Sequence, residues 1–258
     1  MTIGIDPVAF TLGSLEIRWY GIMMFLAVLA VILWVAREIR NGAKISPDDL
    51  LMMAVIGVIF GIVFARLFHV IDLWEYYSQH PSEIVGGAGL SAYGGILGAT
   101  LAIWVYTKIS KLNFGYIVDT VAPAIPLAQA IGRIGCTLNG CCYGVETSLP
   151  CGVIYTHPNS YAVLGVAVHP TQIYEIIFSL IVFAVLMFLR GRLNKNGSLF
   201  LIWLICYSSW RLGSDFLRDG TPFFFGLHQA QVIAIVVLLI AIPLLIIKLR
   251  STKVEEEA

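Results

Sequence analysis

The sequence predicts an all-α integral membrane protein of seven transmembrane helices, N-terminus outside and C-terminus cytoplasmic. Composition predicts the class: 59% of residues are apolar, 12% are charged and mean hydropathy is +0.86, outside the range of soluble globular chains. Length predicts the number, because 258 residues hold about seven helices of roughly 20 residues, the length that spans a bilayer core. Charge predicts the orientation, since basic residues follow alternate apolar runs. The formal net charge is zero, so no nucleic-acid partner is expected and the surrounding medium is the bilayer.

Apolar stretches place the spans at 19–37, 50–71, 89–107, 115–135, 170–190, 197–217 and 228–248. Met1 to Ile17 lacks a basic region and no small-residue cleavage pattern follows the first span, which is therefore expected to be retained. The fourth span carries Asp119, Pro123 and Pro126, so it reads as a broken helix whose freed backbone groups need partners from neighbours or water. The whole chain, 1–258, reads as one polytopic domain with an outward segment, about 136–169, inserted between the fourth and fifth spans.

Arg37, Arg40 and Lys44 follow the first span, Lys108 and Lys111 the third, Arg190, Arg192 and Lys195 the fifth, and Lys248, Arg250 and Lys253 the seventh. The positive-inside rule puts these ends in the cytoplasm. Arg66, Arg133, Arg211 and Arg218 break the pattern by collecting near the outer ends of the second, fourth and sixth spans. Snorkelling to the headgroup layer accounts for single arginines near helix ends, such as Arg66 and Arg218. The sixth span asks for more, because Tyr207, Arg211, Asp215 and Arg218 fall at helical spacing as one polar stripe. Such a stripe marks a substrate path, or a buried Arg211–Asp215 pair that only locks helices together.

"HPTQIYE", 169–175, opens the fifth span with His169 at the outer surface and with Gln172 and Glu175 on one helix face. "AYGGILGA" puts Gly94, Gly95 and Gly98 in the third span, where small residues admit either a neighbouring helix or a ligand. "RWYG", 18–21, places Trp19 and Tyr20 at the outer interface. Arginines, tyrosines and an amide converging near one leaflet suit an anionic headgroup, because guanidinium forks match phosphate oxygens bidentately.

These ordered motifs, together with "GRIGCTLNG" at 132–140 and the closing "GSLFLIWLICYSSWRLGSDFLRDG", resemble the prolipoprotein diacylglyceryl transferases of bacteria over most of the chain. The resemblance implies a multi-pass protein of the cytoplasmic (inner) membrane. Its partners would be phosphatidylglycerol and the signal peptide of a prolipoprotein, and it would move a diacylglyceryl group to the lipobox cysteine thiol and release glycerol phosphate. By that resemblance Arg133 and Arg211 hold the lipid phosphate. Asn139, Tyr20, Tyr207 and Arg218 match other polar positions, and Asp215 stands where glutamate is usual. Arg66, Gln172, Glu175 and the three glycines complete the expected substrate site.

The acceptor must react as a thiolate, and a free thiol of pKa about 8.5 is only slightly ionised at neutral pH. The family motif begins with histidine where this chain has Tyr93, a poor base at its ordinary pKa of about 10. His169, Glu175 and Asp215 are the remaining base candidates, and an arginine field is the alternative. Cys136 and Cys141 replace an asparagine and an acidic residue of the family signature. No organic cofactor and no metal are expected.

Cys136, Cys141, Cys142 and Cys151 sit in the outward segment, while Cys206 lies alone in a helix. Four clustered cysteines in an oxidising compartment read first as two disulfides, with reactive thiols or a metal site as alternatives. They also admit a membrane thiol oxidoreductase. The altered signature admits a non-catalytic phospholipid-binding paralogue.

Overall fold

The computed structural model describes residues 1–13, 15–86, 89–193, 195–218 and 225–256, without the side chains of Leu15, Ala92, Tyr93 and residues beyond 250. In chain order the elements are β1 (Thr2–Ile3), β2 (Val8–Leu12), β3 (Leu15–Arg18), α1 (Trp19–Arg40), α2 (Pro47–Asp72), α3 (Trp74–Gln79), α4 (Glu83–Gly86), α5 (Ala92–Ile109), α6 (Phe114–Val121), α7 (Ala124–Asn139), β4 (Val153–Tyr155), β5 (Ala167–Val168), α8 (Thr171–Leu189), α9 (Ser198–Ser214), a 3-10 turn (Asp215–Leu217) and α10 (Gln229–Glu256). Helix occupies every one of the seven expected segments. Among the described residues four helices are long and apolar enough to cross a membrane: α1, α2, α8 and α10 through Arg250. The pair α6 and α7 adds a fifth span bent by 45°. The bend falls at Pro123, as expected, because proline disfavours helix in the residue before it and removes a backbone donor.

Two expectations change. The fold is not purely α: β2 and β3 form an antiparallel hairpin, and β1, β4 and β5 form a three-stranded sheet. These strands have only two to five residues, too short for a period-two pattern to register in the sequence. The sixth segment also does not run as one helix to 217. It ends at Ser214 and continues as the 3-10 turn.

The chain divides into two compact units, Met1–Trp34 with Val118–Ala258, and Val35–Ile117. In the first, Ala122, Val182, Leu186, Leu199 and Trp203 form a buried core from the α6–α7 bend, α8 and α9. Asp119 of α6 caps α9 by accepting from the backbone N–H groups of Gly197 (2.7 Å) and Phe200 (2.9 Å). A second core, built of Ile3, Val153, Tyr155, Ala162 and Val168, holds the 136–169 segment against the N-terminal strand. There β1 pairs in parallel with β4, Thr2 opposite Ile154, and the Met1 amino group donates to the Gly152 carbonyl at 2.9 Å.

In the second unit α2 starts at a capping box, Ser46 with Asp49, and Pro47 occupies its first turn. A Cβ placed on Gly94 or Gly98 of α5 would stand 2.3 Å and 2.4 Å from the carbonyl oxygens of Phe64 and Phe60. These two glycines are therefore what lets α5 lie against the α2 backbone. Gly95 has ordinary contacts at 3.6 Å. Arg66 donates to the carbonyls of Ile84, Glu83 and Gly89 and lies over the Tyr77 ring, so it binds together the α3–α4 region.

Candidate active site

The candidate site begins where α7 ends. Gly140 takes the left-handed conformation at φ 69°, which stops the helix and turns the chain back, and the Cys141 N–H donates to the Cys136 carbonyl at 3.1 Å. Cys142 follows at φ 64°, a region that non-glycine residues seldom occupy. As a result the sulfurs of Cys136, Cys141 and Cys142 lie within 4.8 Å of one another. On the same helix, Arg133 Nη2 meets Glu175 Oε2 at 2.9 Å and Nη1 lies 3.9 Å from the Cys136 sulfur.

The first turn of α8 fixes the cysteine loop. Pro170 precedes the helix, and the next two side chains reach back: Thr171 Oγ1 donates to the Cys142 carbonyl (2.7 Å) and Gln172 Nε2 to the Cys141 carbonyl (2.8 Å). Gln172 also meets the Tyr155 hydroxyl at 3.2 Å, and its Oε1 is buried without a hydrogen-bond partner. Glu175, three residues on and on the same face of the helix, reaches Arg133. The loop then threads between two strands of backbone: Gly144 N–H donates to the His169 carbonyl at 2.8 Å and Val145 N–H to the Leu217 carbonyl at 2.8 Å.

The end of α9 supplies the third wall. Arg211 Nη2 and Asp215 Oδ1 are 2.9 Å apart at i, i+4, and Asp215 Oδ2 faces His228 Nδ1 at 3.1 Å. Because the helix has given way to the 3-10 turn, Arg218 leaves the stripe and its Nη2 donates to the Cys142 carbonyl at 2.7 Å. One carbonyl is thus held by both Thr171 and Arg218.

Arg133, Glu175, Gln172, Asn139, Arg211, Asp215 and Arg218 all stand in the first unit: Arg133 pairs with Glu175, Asn139, Gln172 and Arg218 contact the cysteine loop, and Arg211 pairs with Asp215, three residues before Arg218. Tyr20 lies on α1 beside α7, its Cα 3.3 Å from a Cβ placed on Gly135. Tyr207 stacks on Trp203, centroids 5.8 Å apart. His169 faces the Tyr174 hydroxyl, which in turn contacts the Cys151 sulfur at 3.3 Å. Tyr93 lies outside the described side chains. Gly94, Gly95, Gly98 and Arg66 belong to the second unit.

Two residues went unnoticed in the sequence. Arg18 Nη1 donates to Asn139 Oδ1 at 3.3 Å and its guanidinium covers the Tyr161 ring at 4.4 Å, so Asn139 is held on one side by Arg18 while its Nδ2 contacts the Cys141 sulfur at 3.6 Å. His228 completes the Asp215 contacts. Arg18 heads the quoted "RWYG" motif, so the signal was present. His228 had none beyond its place in a loop.

The electrostatics follow from this packing. Hydrogen bonds from the Cys136 and Cys141 thiols, then the charges of Arg133 and Arg218, hold the Cys142 thiol well below its ordinary range. Burial pushes the Tyr155 hydroxyl up to about 12, so it stays protonated at neutral pH while it accepts from Gln172. The expected pair of disulfides does not form: all five cysteines are free thiols. Cys136, Cys141 and Cys142 converge, while Cys151 is turned to Tyr174, which leaves no second pair to close.

A family profile described as prolipoprotein diacylglyceryl transferase matches residues 7–247. A phosphatidylglycerol–prolipoprotein diacylglyceryl transferase of Dehalococcoides mccartyi is 48% identical over 251 residues, 97% of this chain and 96% of the relative. Proteins of the same name from Clostridioides difficile and Clostridium novyi are 38% and 35% identical, covering 90% and 96% of this chain and 90% and 98% of their own lengths.

Proposed function

The chain belongs to the prolipoprotein diacylglyceryl transferase family, and from that premise we propose that it moves the diacylglyceryl group of phosphatidylglycerol to the lipobox cysteine of a prolipoprotein. The observation that carries this reading is the buried Arg133–Glu175 pair facing three thiols at the end of a broken membrane helix. Three arginines, Arg133, Arg211 and Arg218, stand against two carboxylates, Glu175 and Asp215, and the surplus positive charge suits a phosphodiester.

In the reaction the acceptor thiolate attacks the glyceryl carbon that bears the phosphate. The new C–S bond forms as the C–O bond breaks, and the electron pair leaves on glycerol phosphate. Charge grows on the phosphate in the transition state, and Arg133 and Arg211 stabilise it there. Glu175 and Asp215 hold those guanidiniums in place before the lipid arrives. Thr171, Gln172 and Arg218 act one step back, fixing the backbone of the cysteine loop. Family membership favours group transfer over the thiol oxidoreductase and the non-catalytic lipid-binding alternatives.

Seven spans, N-terminus outside, remain the topology that best fits the basic residues. The β1–β4 pairing supports it, because the N-terminus and the 136–169 segment must then share one side of the membrane, with an even number of crossings between them. The setting proposed is the inner membrane of a bacterium.

The test is direct. Purified protein with phosphatidylglycerol vesicles and a lipobox peptide should add one diacylglyceryl mass to the peptide, and none to a peptide with serine in place of cysteine. No transfer beside an active relative refutes the reading.

A further inference from the structure

Deepening that transferase reading, on which it rests, we propose that Cys136, Cys141 and Cys142 form a three-sulfur site for a zinc-like cation whose fourth ligand is the acceptor thiol. A tetrahedral zinc with Zn–S bonds of about 2.3 Å holds its sulfurs roughly 3.8 Å apart. The three sulfurs here lie within 4.8 Å of one another, so an inward shift of about 1 Å or less seats the ion. In the sequence a metal site was only an alternative to disulfides, because the spacing lacks a CxxC pair. The left-handed turn at Gly140 and Cys142 does what that spacing usually does, folding residues 141 and 142 back over Cys136.

The surroundings match a site of this kind. Donors that touch the ligand atoms orient them and steady their charge, and here Asn139 Nδ2 lies 3.6 Å from the Cys141 sulfur and Arg133 Nη1 lies 3.9 Å from the Cys136 sulfur. The loop cannot drift, because Gln172 holds the carbonyl of Cys141, and Thr171 and Arg218 hold that of Cys142. Three thiolates and a dication carry one negative charge, which the neighbouring guanidiniums offset. Cys136 is buried and Cys142 exposed, so a ligand approaches from the Cys142 side.

Three protein ligands leave one tetrahedral position for substrate, the arrangement of catalytic rather than structural zinc. A thiol that coordinates such an ion loses its proton outright. The acceptor S–H bond is exchanged for an S–metal bond and the proton goes to solvent. The bound sulfur then attacks the glyceryl carbon, the C–O bond to phosphate breaks, and the neutral thioether product, a weaker ligand, leaves. No electrons change hands, and no oxidant or reductant is consumed.

The experiment uses the full chain in detergent, loaded with zinc or cobalt and desalted. Zinc should bind at one per chain by elemental analysis. Cys142→Ser, at an exposed position, should lower that below one-tenth, while Cys151→Ser and Cys206→Ser should leave it unchanged. In the cobalt form, a lipobox peptide should raise the sulfur-to-metal charge-transfer band by about one-third, and its serine analogue should not. Removing metal should slow transfer at least tenfold, with zinc restoring it. Failure to bind zinc, an unchanged spectrum with the cysteine peptide, or an apoprotein as active as the loaded form each overturns the proposal, and the last leaves the transferase reading standing. A peptide-dependent cobalt spectrum without transfer in any form supports the site and overturns the transferase reading instead.

Discussion

Arg133 and Glu175 meet at 2.9 Å with side chains 16% and 5% exposed, joining α7 to α8 at the level where α7 ends. A carboxylate buried this deeply is tolerated because the guanidinium answers it, and removing either partner strands the other charge. The same guanidinium lies beside the thiols, so packing and chemistry meet in one side chain.

Arg133→Ala should reduce transfer roughly 100- to 1,000-fold, the usual loss when a charge-stabilising donor is removed from a reaction centre. Arg133→Lys keeps the charge but not the fork, and should recover only part of the rate. Peptide lipidation followed by mass spectrometry measures both. Activity within a few-fold of the parent in Arg133→Ala removes that arginine from the reaction.

Glu175→Ala should destabilise the protein by about 3–5 kcal/mol, the cost of leaving a buried charge unpaired. Glu175→Gln, which keeps an acceptor for the guanidinium, should cost less. Thermal unfolding in detergent compares them, and equal midpoints for the two variants would contradict the pairing.

Gly144→Ala should damage the cysteine loop although no reacting group is touched. Its Cβ would stand 2.4 Å from the Leu217 carbonyl oxygen and 2.7 Å from the His169 Cβ, a backbone atom and a side-chain root that cannot swing aside. Overpacking of this kind costs about 1–3 kcal/mol. A lowered unfolding midpoint with a loss of transfer is expected, and an unchanged midpoint counts against the threading described above.

Asp119→Ala should cost about 1–2 kcal/mol through the lost cap on α9, whose Gly197 and Phe200 N–H groups it accepts. Asp119→Asn should retain most of the stability. Per folded molecule, transfer should be unaltered in both, because Asp119 lies at the end of α9 away from Arg211.

Unreduced protein should show five titratable thiols after unfolding and no change in peptide mass on reduction. A reduction-sensitive bridge between Cys151 and any member of the cluster would contradict the separation of Cys151 from the other three.

Much of the site was legible because membrane depth makes polar residues conspicuous. Arg133, Glu175, Arg211 and Asp215 stand out in apolar sequence, and their helical spacing already places them on inward faces. The pairing was less legible. The Arg211–Asp215 contact follows from an i, i+4 spacing, whereas Arg133–Glu175 joins helices 42 positions apart, and only packing brings them together. Arg18 stood in a quoted motif, but its contacts to Asn139 and Tyr161 lie far along the chain, and His228 meets Asp215 with no local pattern to signal it. The glycines of the third span could be read either as packing or as ligand approach, and the carbonyls of Phe60 and Phe64 account for Gly94 and Gly98 as packing.

By itself the sequence determined the class, the helical segments, the break at Pro123 and the family, since each depends on local composition, periodicity or ordered motifs. Only the tertiary structure decided what the cysteines do. Their spacing suggested staples, yet a left-handed turn at Gly140 and three side chains from distant helices gather three of them around one point and leave the fourth elsewhere. The physical reason is that sulfur convergence depends on backbone dihedrals and on contacts across 29 to 76 residues, neither of which local sequence spacing encodes.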